Sequence, residues 1–251
     1  MRPNVFQEQH RVTYYETDRN DRMSLKMLLN IVLLVSEDQS DHLRIGSETL
    51  QAQKLGWVVI QYSIKINRLP RTNEIVNLMT SSTAYNRFMA NRNFTITDSK
   101  GQVEVKVASD WVAINLQTRQ LATLRPALVK PYGGKQVKLL PHLKRPQAIK
   151  NTDHLRMKNY RTRYSDIDLN HHVNNSCYLD WATDVLSPQF LTNYQPYQVG
   201  IRFRDEVKYG MMVTSRARII RNPDNVITKH EIRSNNKLNA VANIFWQKNK
   251  E

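Results

Sequence analysis

Between residues 25 and 35 the apolar side chains fall at helical spacing: Leu25, Leu28, Leu29, Val32 and Val35 form one stripe, with Met27, Ile31 and Leu34 beside it. Ser24 is a natural N-cap for this segment. A helix so apolar around its circumference needs other structure wrapped around it. The chain before Tyr15 reads as strand, and beyond the helix strand-like runs follow at 57–67, 74–85, 88–97 and 103–115, with Asp98-Ser-Lys-Gly101 as the turn between the last two. The second half repeats the order. A strand precedes Asp166, a helix begins near Asn174 with Val173, Cys177, Trp181 and Val185 at every fourth position, and strands follow at 197–209, 211–221, 226–234 and 238–247. Asn222-Pro-Asp-Asn225 and Asn235-Asn236 are its turns.

The two halves are related residue by residue. At a constant offset of 150 positions, Arg11 pairs with Arg161, Tyr14 with Tyr164, Asp18 with Asp168, Asn20 with Asn170 and Leu29 with Leu179. Arg22 stands where the second copy has His172, so only the second copy keeps a side chain that can exchange a proton near neutral pH. One helix with one antiparallel sheet, twice, predicts an α+β chain of the tandem (double) hotdog type, with two antiparallel sheets each wrapped around a central helix. The expected domains are an N-terminal hotdog over 1–124 and a C-terminal hotdog over 151–251. Between them, 125–150 carries four prolines, Gly133-Gly134 and seven basic residues (Arg125, Lys130, Lys135, Lys138, Lys144, Arg145 and Lys150) with no acidic one, and reads as a basic linker.

Charge narrows the partners. Lys+Arg 37 against Asp+Glu 22 gives +15 in 251 residues, a field that concentrates anions such as nucleic acid, membrane headgroups or an acidic carrier protein, without choosing among them. The single cysteine, Cys177, rules out an intramolecular disulfide framework and fits a reducing cytoplasm. Met1 to His10 has no apolar run of signal-peptide type, and the most apolar segment is far shorter than the ~20 residues of a membrane span. A cytoplasmic protein without a membrane span is expected.

The chemistry concentrates in Tyr164-Ser-Asp166-Ile-Asp168-Leu-Asn170-His171-His172-Val-Asn174-Asn175. As a calcium loop it fails, because the positions that need Gly and a bidentate Glu hold His171 and Cys177. Neither His-x-x-x-His nor Cys-x-x-Cys occurs, so no metal is expected; Gly-x-Ser-x-Gly and a Gly-rich phosphate loop are absent too. What remains is carboxylate, amide and imidazole chemistry at a helix start, where backbone N–H groups near Asn174 and Asn175 can face a developing oxyanion. Asp166 and Asn175 read more simply as turn and cap residues. Cys177, on the apolar stripe, reads as a buried thiol.

The run from Asp166 to Asn175 closely resembles the Asp-x-Asp-x-Asn-x-His-Val-Asn-Asn motif of the fatty acyl carrier protein thioesterases of plants and bacteria, which are tandem hotdogs. The resemblance implies catalytic roles for Asp168, Asn170 and His172. It also implies a Glu on the strand after the helix, within a pattern similar to aromatic-Arg-x-Glu-Cys; Phe203-Arg204-Asp205-Glu206-Val207 makes Glu206 the match. Val207 replaces the cysteine often found there, so a thiol at that position cannot be required. Strict alternation along the predicted strand places Asp205, not Glu206, on the face of Val199, Ile201 and Phe203; either a bulge re-aims Glu206 or the active site lies on the other face, with Asp205 the reserve candidate.

The implied function is hydrolysis of fatty acyl-[acyl carrier protein] thioesters to free fatty acid, with Glu206 or Asp168 activating water and the oxyanion facing the helix start near Asn174. No separate cofactor is implied, because the phosphopantetheine arm belongs to the substrate. The implied partner is the acidic carrier protein rather than nucleic acid, and a homodimer is left open. Residues 57–73 of the first half contain no Asp or Glu to match Glu206, so that half is expected to hold the acyl chain instead, with Trp57, Val59, Tyr62, Ile64 and Ile66 as candidate lining. An acyl-coenzyme A thioesterase is the nearest alternative. A non-catalytic acyl-ligand or nucleic-acid binding hotdog is the alternative of another class.

Overall fold

A computed structural model describes residues 4–150 and 153–249. Residues 1–3, where the stretch read for a signal segment begins, lie outside the described residues, as do 151, 152, 250 and 251. The chain divides into two compact units, Met1–Met23 with Asn30–Leu143, and Ser24–Leu29 with Lys144–Glu251.

The first unit contains strands β1 (Phe6–Arg11), β2 (Leu55–Ile66), β3 (Ile75–Tyr85), β4 (Met89–Thr97) and β5 (Val103–Asn115), in the antiparallel order β1-β3-β4-β5-β2. Short strands β6 (Leu121–Ala122) and β7 (Lys135–Gln136) pair with β5 and β3. Helix α1 (Leu25–His42), which belongs to this unit from Asn30 onward, follows the first strand, and α2 (Ser47–Ala52) leads into β2. The predicted stripe of α1 is buried, with Leu28 and Leu29 at 0 % exposure, and each such side chain contributes about 1.5–3 kcal/mol on leaving water. In β2 the apolar positions change parity, from Trp57 and Val59 to Tyr62, Ile64 and Ile66. The register shifts between Val59 and Gln61 against β5, so the extra residue of a bulge keeps both sets on one face.

Segment 125–150 carries structure of its own. Helix α3 (Pro126–Val129) and a 3-10 turn (Lys130–Tyr132) bury Leu128, Val129 and Tyr132 in the first unit. Gln147 and Ile149 donate their backbone N–H groups to Asn243 Oδ1 (2.7 Å) and Glu231 Oε1 (3.1 Å) in the second.

The second unit repeats the sheet. Strands β8 (Arg156–Arg161), β9 (Tyr194–Phe203), β10 (Met212–Arg221), β11 (Val226–Ser234) and β12 (Lys237–Lys248) run antiparallel in the order β8-β10-β11-β12-β9, the order of their counterparts in the first unit. Its helix α4 (Asn175–Asp184) is shorter than α1 and turns Val173, Cys177, Trp181 and Val185 into the core as their spacing predicts; α5 (Pro188–Asn193) follows it. Strand β9 ends at Phe203, six residues before the predicted end at Tyr209. With helices carrying one antiparallel sheet each, twice over, the fold is the double hotdog.

Candidate active site

The Asp168–His172 loop is built the same way as its degenerate copy. Asp168 Oδ1 accepts the Asn170 N–H at 2.8 Å, as Asp18 Oδ1 accepts that of Asn20 at 2.8 Å. Asp168 N–H donates to His172 O (3.0 Å), as Asp18 N–H donates to Arg22 O (2.7 Å). His171 and Asp21, at equivalent positions, both adopt left-handed backbone, φ 63° and 54°. Ahead of each loop a buried carboxylate closes a 3-10 turn: Asp166 accepts from the N–H and guanidinium of Arg163, and Glu16 from the Thr13 N–H. Asp166 is 3 % exposed and fully occupied in this way, which makes it structural.

These turns aim His172 between two carboxylates. Its Nδ1 lies 3.7 Å from Asp168 Oδ1 and its Nε2 3.8 Å from Glu206 Oε1. Nδ1 also sits 3.2 Å from the Val173 carbonyl, which favours the proton on Nδ1 in the neutral ring and leaves the Nε2 lone pair toward Glu206. Distances beyond direct hydrogen-bond length leave room for a bridging water or for tightening around a substrate. The carboxylates stay partly open to solvent, with side-chain exposures of 23 % for Asp168 and 37 % for Glu206. Among the described residues no group of three or more His, Cys, Asp or Glu side chains could hold a metal ion.

Glu206 reaches His172 by a route the sequence pattern did not predict. The chain leaves the sheet after Phe203, so neither a bulge nor strand alternation decides where Glu206 points. Residues 204–207 are pinned from several sides: Arg204 N–H donates to Asn239 O (2.8 Å), Val173 N–H to Val207 O (2.9 Å) and Val207 N–H to Tyr178 Oη (3.2 Å). Asn239 Nδ2 also donates to the Asp205 carbonyl at 3.3 Å. Tyr178 and Asn239 therefore position the Glu206 segment, and no motif announced either. In the first unit Met23 N–H donates to Pro70 O as Val173 N–H does to Val207 O, so the residue opposite Glu206 is Leu69, 7 % exposed. With Arg22 for His172 and Leu69 for Glu206, that copy lacks both proton-transfer groups.

At the start of α4 the bonds of Asn174 decide which backbone N–H groups stay open. Its side chain caps α4 by accepting the Ser176 N–H (2.9 Å), and its own N–H donates to Asp166 O (2.8 Å). Cys177 N–H donates to Asn174 O (3.0 Å). The donor left at the helix start by these bonds is the N–H of Asn175. Cys177 is 4 % exposed, and burial pushes its thiol up to about 11, so it stays protonated at neutral pH.

The candidate chain-binding residues separate. Tyr62 and Ile64 are fully buried core side chains, whereas Trp57 lines an open cavity of the first unit. Tyr62 and Ile64 are not among the lining residues of that cavity, because the sheet face they occupy is closed by packing. No helix of the described residues is long and apolar enough to cross a membrane.

The chain is 22% identical over 232 residues, 84% of its length, to oleoyl-acyl carrier protein thioesterase 1, chloroplastic, of Arabidopsis thaliana, and 23% identical over 217 residues, 80% of its length, to palmitoyl-acyl carrier protein thioesterase, chloroplastic, of Cuphea hookeriana. It spans 62% and 52% of those two proteins. Among solved structures it is similar to a Lactobacillus plantarum protein provisionally described as an oleoyl thioesterase, at 41% identity and a TM-score of 0.97, covering 99% of this chain and 98% of that one. A 12:0-ACP thioesterase from Umbellularia californica shares the fold, with a TM-score of 0.86 at 17% identity over 98% of this chain and 94% of that one. The family description "Acyl-ACP thioesterase N-terminal domain" matches residues 3–132 and "Acyl-ACP thioesterase C-terminal domain" matches 149–248. Matched in both halves, the chain belongs to the acyl-ACP thioesterase family.

Proposed function

We propose that the protein hydrolyses the thioester of fatty acyl groups carried on acyl carrier protein. Water adds its oxygen to the thioester carbonyl, the carbon–sulfur bond breaks, and the products are a fatty acid and the carrier's free phosphopantetheine thiol. The observation that carries the reading is the placement of His172 between Asp168 and Glu206, all three in one unit. Glu206 takes the proton from the attacking water and passes it to the Nε2 lone pair of His172, and the imidazolium so formed gives that proton to the leaving sulfur. Asp168 holds the Nδ1 side of the ring and stabilises the imidazolium while it carries that proton. Asn170 donates to the substrate carbonyl from the turn that Asp168 orders, and the Asn175 N–H supplies a second donor as charge develops on oxygen. Cys177 takes no part.

The division of labour follows from the degenerate copy. The C-terminal unit does the chemistry, and the N-terminal unit, without proton-transfer groups but with a cavity walled in part by Trp57, receives the acyl chain. The +15 charge steers an acidic carrier protein, and Lys130, Lys135, Lys138, Lys144 and Arg145, all exposed, form part of the receiving surface. A direct test offers the purified protein matched acyl groups on carrier protein and on coenzyme A and follows free thiol. Faster release from the carrier thioester at low salt is expected; equal use of both would remove carrier specificity, and release from neither would remove the hydrolase reading.

A further inference from the structure

The buried face of α1 changes character along its length. From Leu25 to Val35 it is apolar, but the next buried positions are Ser36, Gln39 and Ser40. Opposite them on β4 lies Arg92, 7 % exposed. Its Nη1 donates to Gln39 Oε1 (2.5 Å) and Thr80 Oγ1 (3.1 Å), and its guanidinium lies 4.7 Å from the centre of the Tyr132 ring. Among the described residues its Nε and Nη2 have no hydrogen-bond partner, yet neither is sealed from the cavity that Arg92 lines. No carboxylate bonds it. Glu37, at the exposed side of the same cavity, acts on it through space and accepts instead from Ser47 Oγ (2.9 Å). A guanidinium stays charged, and placing one in a largely buried setting without a bonded anion costs several kcal/mol. Packing alone does not need it, since the equivalent sheet of the second unit is built without an arginine on that strand's buried face.

The rest of the lining mixes apolar Trp57, Ala90, Trp111 and Val129 with the polar side chains of Asn91 and Ser82. A ligand that fits both is an aliphatic chain bearing an oxygen. We propose that this cavity binds acyl chains carrying a hydroxyl group, with Arg92 donating to the hydroxyl oxygen and so setting a preference for hydroxylated over plain fatty acyl groups. The inference rests on the reading that the N-terminal unit receives the acyl chain of a thioester substrate. A neutral oxygen suits the site better than a carboxylate, because Glu37 would repel a second anion, whereas a hydroxyl can accept from Arg92 and donate to the serine hydroxyls Ser36, Ser40 or Ser82 that line the same space.

The test uses the full chain and a positional series of free hydroxyoctadecanoic acids beside octadecanoic acid, with binding measured by calorimetry on wild type and on Arg92→Met, and again on Arg92→Gln should the first variant not fold. At least one hydroxy isomer should bind wild type about tenfold or more tightly than octadecanoic acid, the scale of one net hydrogen bond to a charged donor. The variant should lose that ratio. Equal binding of all isomers and the plain acid would overturn the proposal in favour of a solvated arginine. An equal loss for the plain acid in the variant would overturn it in favour of a carboxylate site. The same isomer, carried on acyl carrier protein, should show a kcat/KM about tenfold above the plain thioester in wild type. Hydrolysis of neither thioester, with the binding preference intact, would sink the hydrolase reading while supporting the cavity assignment; hydrolysis of both at equal rates would sink the assignment alone.

Discussion

His230 should make the second unit acid-labile in a way that one substitution removes. It is 0 % exposed on β11, its Nε2 lies 2.7 Å from Thr228 Oγ1, and its Nδ1 has no partner among the described residues. Thr228 Oγ1 already accepts the Trp246 indole N–H at 2.8 Å, so a donating His Nε2–H leaves only the Nδ1 lone pair unmet, the cheaper orphan. Protonation would instead add a buried charge and a donor with nowhere to go. Burial accordingly pulls the imidazole down to about 3 from its ordinary 6.5. Because the folded value is the lower one, the unfolded chain binds more protons between about pH 3 and 6.5, and stability present above 6.5 is lost as pH falls through that window. The loss is up to about 1.4 kcal/mol per pH unit for one proton, or about 2 kcal/mol by pH 5. Urea unfolding of wild type and His230→Gln, followed by tryptophan fluorescence at pH 8 and pH 5, reads this as a difference of differences that cancels any constant cost of the glutamine. Wild type should lose about 2 kcal/mol more than the variant across that span. Parallel losses would show that His230 titrates alike folded and unfolded, and the burial reasoning would be wrong.

Asp205→Ala should leave turnover within a few-fold of wild type, because the pinned 204–207 segment presents Glu206 to His172 and not its neighbour; steady-state thiol release on folded variant checks this, and a loss matching that of Glu206→Ala would reverse the choice of carboxylate. Cys177→Ser should stay active and lose about 1–3 kcal/mol of stability from burying a hydroxyl, measured by thermal unfolding beside activity; an acyl adduct trapped on Cys177 would restore a cysteine nucleophile. Raising salt should increase KM for the carrier thioester before it changes kcat, since a Debye length of about 8 Å at physiological ionic strength screens long-range steering. A KM for the carrier thioester that ignores salt would argue against a role for the exposed basic residues of 130–145.

The fold was legible because its two periodicities are clean and repeat at a fixed offset: the stripe of α1 and the alternation of β3 to β5 admit few other arrangements. The loop geometry was legible for the same reason, since Asp168, Asn170 and His172 share their spacing with Asp18, Asn20 and Arg22. What escaped were features that depend on where regular structure stops. Alternation continued on paper through Tyr209, but Arg204 bonds to Asn239 rather than extending β9, and only that exit brings Glu206 to His172. The sequence points to backbone donors near Asn174 and Asn175 without saying which N–H stays unpaired, because that depends on the carbonyl of Asp166, which accepts from Asn174. Trp57, Tyr62 and Ile64 read alike as candidate lining, yet only local packing decides which of them meets open space.

The central claim is that His172 and Glu206 together carry the proton transfers of thioester hydrolysis in the second unit. Single-turnover release of free thiol from acyl-[acyl carrier protein], with saturating enzyme, measures the chemical step apart from carrier binding. Glu206→Ala and His172→Ala, each shown folded by circular dichroism, should slow that step by about a hundredfold or more, and the double variant by little beyond the slower single one because the two act as a unit. A folded Glu206→Ala protein that turns over at the wild-type rate would contradict the account.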